Sequence, residues 1–391
     1  MRSNWRQISL NEITELVIDH RGRTPKKLGG CWSDSGYRTL SAKNVKNGQI
    51  VQSDTIRFVD EDLYRKWMKE EIKRGDILIT SEAPFGQLYY WDSDEKIVLG
   101  QRLFGLRIKD EYDARFIYYY MMTREFQEEL KGRATGTTVI GLRQPELMKC
   151  SIRCPDITTQ HRIASVFKTI DTKILINENI NDNLAELLQT VYQERFGDVS
   201  AAAEKGILSD ICSYSRDRVA VSGLNSKTYF STENMLPEKA GATEATSLPT
   251  TPQTTACHKG DTLVSNIRPY FKKIVYCEDE CGCSTDVLCF TPVQPKYASY
   301  LFSTLFADKF FAFMVAGSKG TKMPRGDKQQ IMSYPVTLPS DDELDDFNAL
   351  ALPILAQLHS KKAENKSLEA ARDALLPKLI SGEIDVSTIQ L

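Results

Sequence analysis

The chain has 391 residues, of which 50 are basic and 52 acidic, giving a formal net charge of −2. A chain of this length buries large cores in two ordinary domains, which excludes a mini-protein held together by disulfides or metals. The near-neutral total argues mildly against a nucleic-acid binder whose basic charge covers the whole surface. The sequence shows neither an apolar run long enough to span a membrane nor the apolar core of a signal peptide. We therefore expect a cytoplasmic protein with no membrane partner, whose nine cysteines are free thiols.

The first part of the chain combines short strand-like runs with one helix-like stretch. Apolar runs bounded by turn residues predict strands at Tyr37–Leu40, Asp76–Thr80, Leu88–Trp91 and Leu103–Ile108, with a tight turn at Asn47-Gly48. Apolar residues at helical spacing predict a single amphipathic helix over Ala114–Leu130. These patterns predict an α+β lobe over residues 1–158.

After Pro155 the pattern becomes that of one long helix. Apolar residues recur at intervals of three and four from Ile163 to Val191, and no glycine or proline occurs before Gly197. This predicts a spacer helix over residues 159–196, which is roughly 55 Å long at 1.5 Å per residue.

The same order of elements returns about 185 residues later, so the chain is a tandem duplication. The matching pairs are Gly75-Asp76 with Gly260-Asp261, Pro84-Phe85 with Pro269-Tyr270, and Gly136-Thr137 with Gly320-Thr321. We expect a second α+β lobe over residues 206–339, in which Ala298–Phe313 is the counterpart of the first lobe's helix. A second spacer helix is predicted over residues 340–381, with a kink or a short lead-in helix at Pro353. The two spacers bury their apolar stripes most economically against each other; the alternative is that each packs on its own lobe.

The duplication changes the meaning of the net charge. Residues 1–158 and residues 216–333 each carry +3, whereas residues 159–196 carry −1 and residues 334–391 carry −5. Screening makes charge within about 10 Å matter more than the total. A sum near zero is therefore compatible with two mildly basic lobes that each face a polyanion.

The sequence contains no recognisable catalytic motif. Its four histidines are scattered, and it has no nucleophile elbow, phosphate-binding loop or dinucleotide fingerprint. Four cysteines lie within 13 residues, but their spacing lacks the paired knuckles of a structural zinc site; they are Cys277, Cys281, Cys283 and Cys289. We expect no metal site and no enzyme activity of the chain itself. A duplicated cytoplasmic zinc-binding or protein-interaction scaffold remains the alternative function.

Basic residues cluster on glycine-rich loops, from which side chains reach phosphates and base edges. The candidate DNA-binding residues of the first lobe are Arg21, Arg23, Lys26, Lys27, Lys43, Arg133, Thr137 and Arg143. Those of the second lobe are Arg268, Lys319, Lys322, Arg325 and Lys328. The alternative is that these loops are charged only for solubility. The loop that begins at Lys319 has a counterpart at Lys131 in the first copy, and this recurrence favours a shared task.

Several segments, taken in order, resemble the specificity subunits of type I restriction-modification systems. The segments are Tyr37–Ile50, Gly75–Ile79, Gly100–Arg107, Gly136–Thr138 and, after Pro155, Gln160–Ile163. The resemblance implies two tandem α+β target recognition domains, each followed by a long helix. It also implies that the two helices pair as an antiparallel coiled coil, which fixes the spacing between two DNA half-sites.

The resemblance further implies the partners. Each lobe would read one half of a split sequence in double-stranded DNA, and two DNA methyltransferase (modification) subunits would dock on the helices. Those subunits would bind S-adenosylmethionine and methylate adenine, and restriction/translocase subunits would supply ATP- and Mg-dependent translocation and cleavage. The chain itself would then bind no cofactor. A recognition subunit of a related system that cuts on both sides of its site is a second reading within the same family.

The second copy departs from the first in two places. It lacks a clear equivalent of Asn44–Gly48 and carries instead Thr243–Thr255, which we interpret as a loop. Its spacer begins with the acidic Asp341–Asp346 rather than with Gln160–Arg162. We therefore expect the second spacer to mirror the first imperfectly.

Overall fold

The computed structural model describes residues 5–46, 48–136, 140–197 and 204–386. The chain divides into two compact units, Met1–Ile174 with Ser367–Leu391, and Leu175–Lys366. Each unit contains one α+β lobe and a part of each of two long helices. The predicted fold class, two tandem α+β lobes each followed by a long helix, is confirmed.

The first lobe is built on a four-stranded antiparallel sheet. Its strands are β1 (Arg6–Ser9), β2 (Thr14–Ile18), β3 (Tyr37–Leu40), β4 (Val45–Lys46), β5 (Gln49–Ile50), β6 (Arg57–Val59), β7 (Ile77–Thr80), β8 (Leu88–Tyr90), β9 (Val98–Leu99), β10 (Leu103–Ile108) and β11 (Ser151–Cys154). Its helices are α1 (Leu10–Ile13), α2 (Glu61–Trp67), α3 (Ala114–Met122), α4 (Arg124–Gly132) and α5 (Gln144–Leu147). The main sheet has the order β2-β10-β7-β8, a second sheet has the order β6-β3-β9, and β1 pairs with β11 and β4 with β5. The four predicted strands coincide with β3, β7, β8 and β10 to within one residue.

The second lobe repeats the main sheet of the first lobe but not its second sheet. Following α6 (Ile157–Phe196), its strands are β12 (Lys205–Ile207), β13 (Cys212–Tyr214), β14 (Arg218–Ala220), β15 (Tyr229–Phe230), β16 (Gln253–Cys257), β17 (Thr262–Ser265), β18 (Ile274–Tyr276), β19 (Cys281–Cys283), β20 (Val287–Pro292) and β21 (Pro335–Thr337). Its helices are α7 (Leu208–Ile211), α8 (Ala298–Phe306), α9 (Asp308–Ala316) and α10 (Lys328–Met332), and α11 (Asp341–Ile380) follows. The order β13-β20-β17-β18 is that of β2-β10-β7-β8, and β12 pairs with β21 as β1 pairs with β11. The strands of the main sheet therefore occupy equivalent places in the two copies. The second sheet differs, because the second lobe has four strands in the order β14-β16-β19-β15 where the first has β6-β3-β9.

One of the two inner strands of each main sheet, β7 in the first lobe and β17 in the second, is buried on both faces. All four residues of β7 are inaccessible, with Ile77 and Ile79 in one apolar cluster and Leu78 in another. Strand β17 does the same, with Val264 and Leu263 in different clusters of the second lobe. Successive side chains of a strand point to opposite faces, so a continuous apolar run suits a sheet that is covered on both sides.

The single helix predicted over Ala114–Leu130 is instead two helices, α3 and α4, so that prediction was wrong. Thr123 between them is extended (φ −63°, ψ 150°). Its hydroxyl accepts a hydrogen bond from the backbone N–H of Phe126 and so caps the first turn of α4. The counterpart breaks at the equivalent point, where Ala307 (φ −64°, ψ 141°) separates α8 from α9. The break lets two short helices cover one core: Phe116 of α3 and Phe126 of α4 belong to the same cluster.

No single helix of the described residues is long and apolar enough to span a membrane. Residues 295–306 and 308–316 have the length and apolar composition of a membrane span only when taken together, and the two segments are bent by 66° relative to each other. Their large apolar side chains are mostly buried in the core of the second lobe, as for Leu301, Phe310 and Phe311.

Each spacer is one continuous helix of 40 residues, about 60 Å at 1.5 Å per residue. The helix α6 begins two residues before the predicted Thr159 because Asp156 caps its first turn, accepting from the Thr159 backbone N–H at 3.0 Å. The short lead-in helix predicted as one outcome at Pro353 is not present, since α11 runs through that residue. Pro353 and Ala349, whose carbonyl loses its intrahelical donor, are both exposed, so the lost hydrogen bond falls on the solvent side of the helix, while Phe347 and Leu355 on the other side are buried.

The two long helices pack against each other within each unit. In the first unit the Asp171 carboxylate of α6 accepts from Arg372 of α11 at 3.0 Å. In the second unit Asn177 donates to Asn365 at 2.8 Å, and the rings of Phe196 and Phe347 lie 5.3 Å apart. Later residues of α6 meet earlier residues of α11, so the pair is antiparallel, as predicted.

A structural equivalent of the Asn44 segment exists in the second copy, contrary to the expectation from the sequence. Asn44 is buried and accepts from the Ser41 backbone N–H at 3.1 Å; Asn234 is buried and accepts from that of Ser231 at 2.6 Å. The two Ser-x-x-Asn turns follow equivalent strands, β3, which runs parallel to β9, and β15, which runs parallel to β19. The end of Thr243–Thr255, predicted as loop, is part of strand β16.

The two lobes treat one buried aspartate differently. Asp76 and Asp261 precede the equivalent strands β7 and β17, and each accepts the backbone N–H three residues earlier at 2.8 Å. Asp76 also pairs with Arg107 through contacts of 3.0 and 2.8 Å, and the two side chains are 2% and 18% exposed. The residue of β20 at the position of Arg107 is Thr291, by the register of the strands. Asp261 therefore lacks the arginine, and desolvation raises its pKa.

Candidate nucleic-acid interface

Three loops of the first lobe are tied together by backbone hydrogen bonds. Ser81 donates to the carbonyl of Arg102 at 2.8 Å, and Leu142 donates to that of Ser81 at 3.0 Å. Thr135 and Gly141 exchange two bonds of 2.9 and 2.8 Å, which close the loop between them. We call residues 81–82, 102, 135 and 141–143 the first frame.

The second lobe contains the same set of bonds. Asn266 donates to the carbonyl of Asp286 at 2.8 Å, and Gly326 donates to that of Asn266 at 3.2 Å. Lys319 and Arg325 exchange two bonds of 2.9 Å. We call residues 266–267, 286, 319 and 325–327 the second frame. The match makes the frames equivalent position by position, and it confirms the predicted correspondence between the loops that begin at Lys131 and Lys319.

The first frame lines a cleft of about 540 Å³ that contains three arginines. Two of them, Arg21 and Arg143, are predicted candidates, and the fold brings them together from positions 122 residues apart. The third, Arg102, is not among the predicted residues. Glu82 lies in the same cleft, with its Oε1 2.8 Å from Nε of Arg102. The cleft is thus basic, with one carboxylate in it.

The arginines of the cleft differ in how firmly they are held. Arg21 forms a two-point contact with Asp19 at 2.9 and 2.8 Å, and its guanidinium lies 4.0 Å from the centre of the Phe104 ring. Arg102 meets Glu82 through Nε, and its side chain is 50% exposed. Arg143 is exposed, and among the described residues its side chain makes no hydrogen bond or ion pair, although its charge helps to lower the pKa of Glu146 after Lys149 does. Arg102 and Arg143 are therefore the cations of this cleft most available to an anionic ligand.

The remaining candidates of the first lobe fall into two groups. Arg23 donates to the carbonyl of Trp67, Lys27 donates to that of Gly22 at 2.7 Å, and Arg133 pairs with Glu129 at 2.8 Å. These three contacts hold the lobe's own loops. Lys26 and Lys43 are exposed, and within the described ranges their side chains have no recorded partner. Thr137 lies outside the described residues, as does Asn47 of the predicted turn. A DNA contact by any of these residues stays a prediction.

The second lobe gathers its five candidates around the second frame. Arg268 is exposed with a left-handed backbone (φ 50°), and its N–H donates to the carbonyl of Pro324 at 2.8 Å, which joins it to the loop 319–325. The side-chain partners of the others are Asp327 for Lys319 (2.7 Å), Asp286 for Arg325 (2.9 Å) and the Tyr214 ring for Lys328 (5.8 Å). Lys322 is exposed at the tip of the loop. Four of the five cations thus lie on two adjoining loops, and the fifth, Lys328, begins helix α10.

Three residues near the frames were missed by sequence reasoning. Arg102 stands alone in sequence, so a search for clusters of basic residues passes over it. Tyr270 and Met323 are 47% and 52% exposed beside Arg268 and Lys322, respectively. Exposed large side chains next to cations suit contacts with nucleobases and sugars. The signal for Arg102 was the segment Gly100–Arg107, which contributed only to the family resemblance.

The cysteines of the second lobe occupy core positions. Strand register and backbone hydrogen bonds show which first-lobe residues are equivalent to five buried cysteines of the second lobe. The cysteines Cys257, Cys277, Cys281, Cys283 and Cys289 stand where the first lobe has Ile72, Trp91, Ile97, Leu99 and Gly105. A Cβ on Gly105 would lie 2.7 Å from Ile72 Cδ1, so a large and a small residue share this space where the second lobe uses two cysteines. Among the described residues no group of three or more His, Cys, Asp or Glu side chains could hold a metal ion. The zinc-scaffold alternative is not favoured.

Comparison with known proteins finds similarity to one family. The family model "Type I restriction modification DNA specificity domain" matches residues 2–186. The MjaIX specificity subunit of Methanocaldococcus jannaschii is 22% identical over 421 aligned positions, covering 99% of this chain and 95% of that protein. The MjaVIII specificity subunit of the same organism is 28% identical over 187 residues, and the match spans only 43% of its length and 46% of this chain.

The fold has a solved counterpart. The crystal structure of a type I restriction-modification S subunit from M. genitalium matches with a TM-score of 0.57 at 18% identity, covering 96% of each chain. At this identity the likeness establishes the fold alone. Taken with the family match and the aligned relatives, it confirms the resemblance stated from the sequence: the chain is similar over its whole length to type I restriction-modification specificity subunits, and residues 2–186 match their domain model.

Proposed function

We propose that the chain is the DNA-recognition subunit of a type I restriction-modification complex, in which each lobe reads one half of a bipartite target. The observation that carries this proposal is the pair of equivalent frames. The same backbone bonds hold three loops in each lobe, and the loops of the two frames present exposed basic side chains, arginines in the first and arginine and lysine in the second. A shared scaffold with cations at its surface suits the reading of one polyanion at two places.

The antiparallel helix pair supports the second part of the proposal, that the spacers set the distance between half-sites and dock the modification subunits. A helix of about 60 Å is long enough to separate two readers by one or more DNA turns of roughly 34 Å. Several large apolar side chains of the pair are exposed in the second unit, including Leu175, Leu187 and Leu350 at 46–56%. Exposed apolar side chains on a packed helix pair suit a protein partner.

The family's recognition subunit is non-catalytic, and we propose that this chain is too. In the proposed complex S-adenosylmethionine binds the modification subunits, and ATP and Mg²⁺ bind the restriction subunits. The chain then supplies sequence recognition and spacing only. Because its ligand is the cell's own DNA, we propose that it acts in the cytoplasm.

Equilibrium DNA binding tests this proposal. Fluorescence anisotropy with labelled duplexes is measured for the chain alone and with the modification subunits of its own system, at several salt concentrations. We expect the logarithm of the binding constant to fall linearly with the logarithm of the salt concentration, with a slope of about −0.9 for each neutralised phosphate. A fixed bipartite sequence should bind more tightly than a scrambled duplex of the same composition. If no salt-dependent binding is seen in either form, the proposal is wrong.

A further inference from the structure

We infer that the two lobes read different half-sites by placing an arginine–carboxylate pair on the same frame, with opposite charges at the one position that the two pairs share, and that Arg102 and Arg325 each read a guanine. The inference rests on the proposed function and names the residues that give it specificity. In the first frame the pair is Arg102 with Glu82. In the second frame it is Arg325 with Asp286.

The two pairs share one position of the frame, and that position carries opposite charges in the two lobes. The backbone bonds equate Arg102 with Asp286, so an arginine of the first frame stands where the second has a carboxylate. They also equate Gly141 with Arg325. A Cβ placed on Gly141 would lie 3.4 Å from Oε2 of Glu82, so a side chain at this position faces the pair in the first frame as it does in the second.

A second difference in charge between the two frames lies beside the first. Arg143 of the first frame is equivalent to Asp327, and Thr135 is equivalent to Lys319. In the second frame Asp327 pairs with Lys319 at 2.7 Å, whereas Arg143 is exposed. The same backbone therefore carries positive charge at 102 and 143 in one lobe, and at 319 and 325 in the other. A phosphate-binding surface has no need of such an exchange, because both lobes meet the same backbone; a reader of different bases does.

The geometry of the pairs suits base recognition. Glu82 engages Nε of Arg102, which leaves both terminal nitrogens of the guanidinium, and Asp286 engages one terminal nitrogen of Arg325. A carboxylate held at one side of an arginine orients its planar fork and lowers the entropy lost when the remaining N–H groups bind. The partner that matches this fork on a base edge is guanine, through O6 and N7. The two arginines are 50% and 57% exposed, so they are reachable by DNA.

Selection from randomised DNA tests the inference. The chain with its modification subunits is mixed with duplexes in which both half-sites are randomised, and bound sequences are compared for the native chain, Arg102→Ala and Arg325→Ala. We expect Arg102→Ala to lose the guanine preference at one position of one half-site, and Arg325→Ala to do so in the other half-site. Affinity for the native site should fall roughly ten- to hundredfold. Arg124→Ala is the matched control, because Arg124 is 91% exposed, pairs with Glu128 on α4 and lies outside the frame.

The outcomes separate the inference from the proposed function. If the native complex selects no bipartite sequence, the proposed function itself fails. If it does, and both variants keep every base preference or lose affinity equally for all sequences, the arginines contact phosphates or nothing and the inference is overturned. Arg102→Lys and Arg325→Lys keep the charge without the fork, so they should also relax the preference and serve where an alanine variant does not fold.

Discussion

Replacing Arg107 by leucine should strongly destabilise the first lobe. The Asp76 carboxylate is 2% exposed and receives two hydrogen bonds from this arginine, which also donates to the Glu71 carbonyl at 2.8 Å. Removing the arginine leaves a buried carboxylate without its counter-ion and a carbonyl without its donor. Breaking a buried ion pair in this way costs about 3–5 kcal/mol.

Tryptophan fluorescence reports on this lobe alone. All four tryptophans lie in it, at positions 5, 32, 67 and 91. With a urea slope of about 2 kcal/mol per molar, the expected loss lowers the midpoint of the fluorescence transition by about 2 M. The double variant Asp76→Asn with Arg107→Leu no longer buries a charge, and it should recover part of the loss. An unchanged midpoint in the single variant, or an equal loss in the double variant, would refute the reasoning.

Three further predictions address the second lobe. Burial raises the pKa of Asp261 above its ordinary value of 3.8, so stability falls as the pH rises from that value through the higher pKa of the folded state. Asp261→Asn should therefore raise the melting temperature at pH 7, with a gain that disappears below pH 3.8 in calorimetry; a gain that persists there would contradict this cause. Lys322→Ala should weaken DNA binding equally for all sequences and reduce the slope of log affinity against log salt by about one, as expected for a phosphate contact. A change in base preference, measured by anisotropy, would contradict this. Elemental analysis of the purified chain should find less than stoichiometric zinc, and a stoichiometric content would revive the metal scaffold.

The repeat and its central strands could be predicted because their signals are local. Gly75-Asp76 and Gly260-Asp261 each precede a continuous apolar run, and such a run bounded by turn residues has few alternatives to a buried strand. The break at Thr123 could not be predicted in the same way, because apolar residues continue at helical spacing on both sides of it and no glycine or proline marks it. The fold decides there: Thr123 is extended, and the two short helices that it separates place Phe116 and Phe126 in the same core.

Equivalences between the copies were lost where insertions change the offset. Asn44 and Asn234 make the same turn, but they are 190 residues apart instead of 185, and only the serine and the asparagine are shared between the two turns. The frames could not be predicted either, because they depend on hydrogen bonds between residues that are far apart in the sequence. Arg102 reaches Arg143 and Glu82 only through strand pairing, which no run of neighbouring residues reveals. The basic loops could thus be located from sequence, whereas the exchanged arginine–carboxylate pairs required the fold.

The most direct test of the account is the pattern of adenine methylation in DNA from cells that express this chain with its modification subunits. The account predicts one bipartite sequence, methylated in both half-sites, which is absent when the chain is deleted. Exchanging residues 1–158 for the corresponding lobe of another family member should change one half-site and leave the other intact. Methylation that persists without the chain, or a single undivided motif that the exchange leaves unchanged, would contradict the claim that each lobe reads its own half of the target.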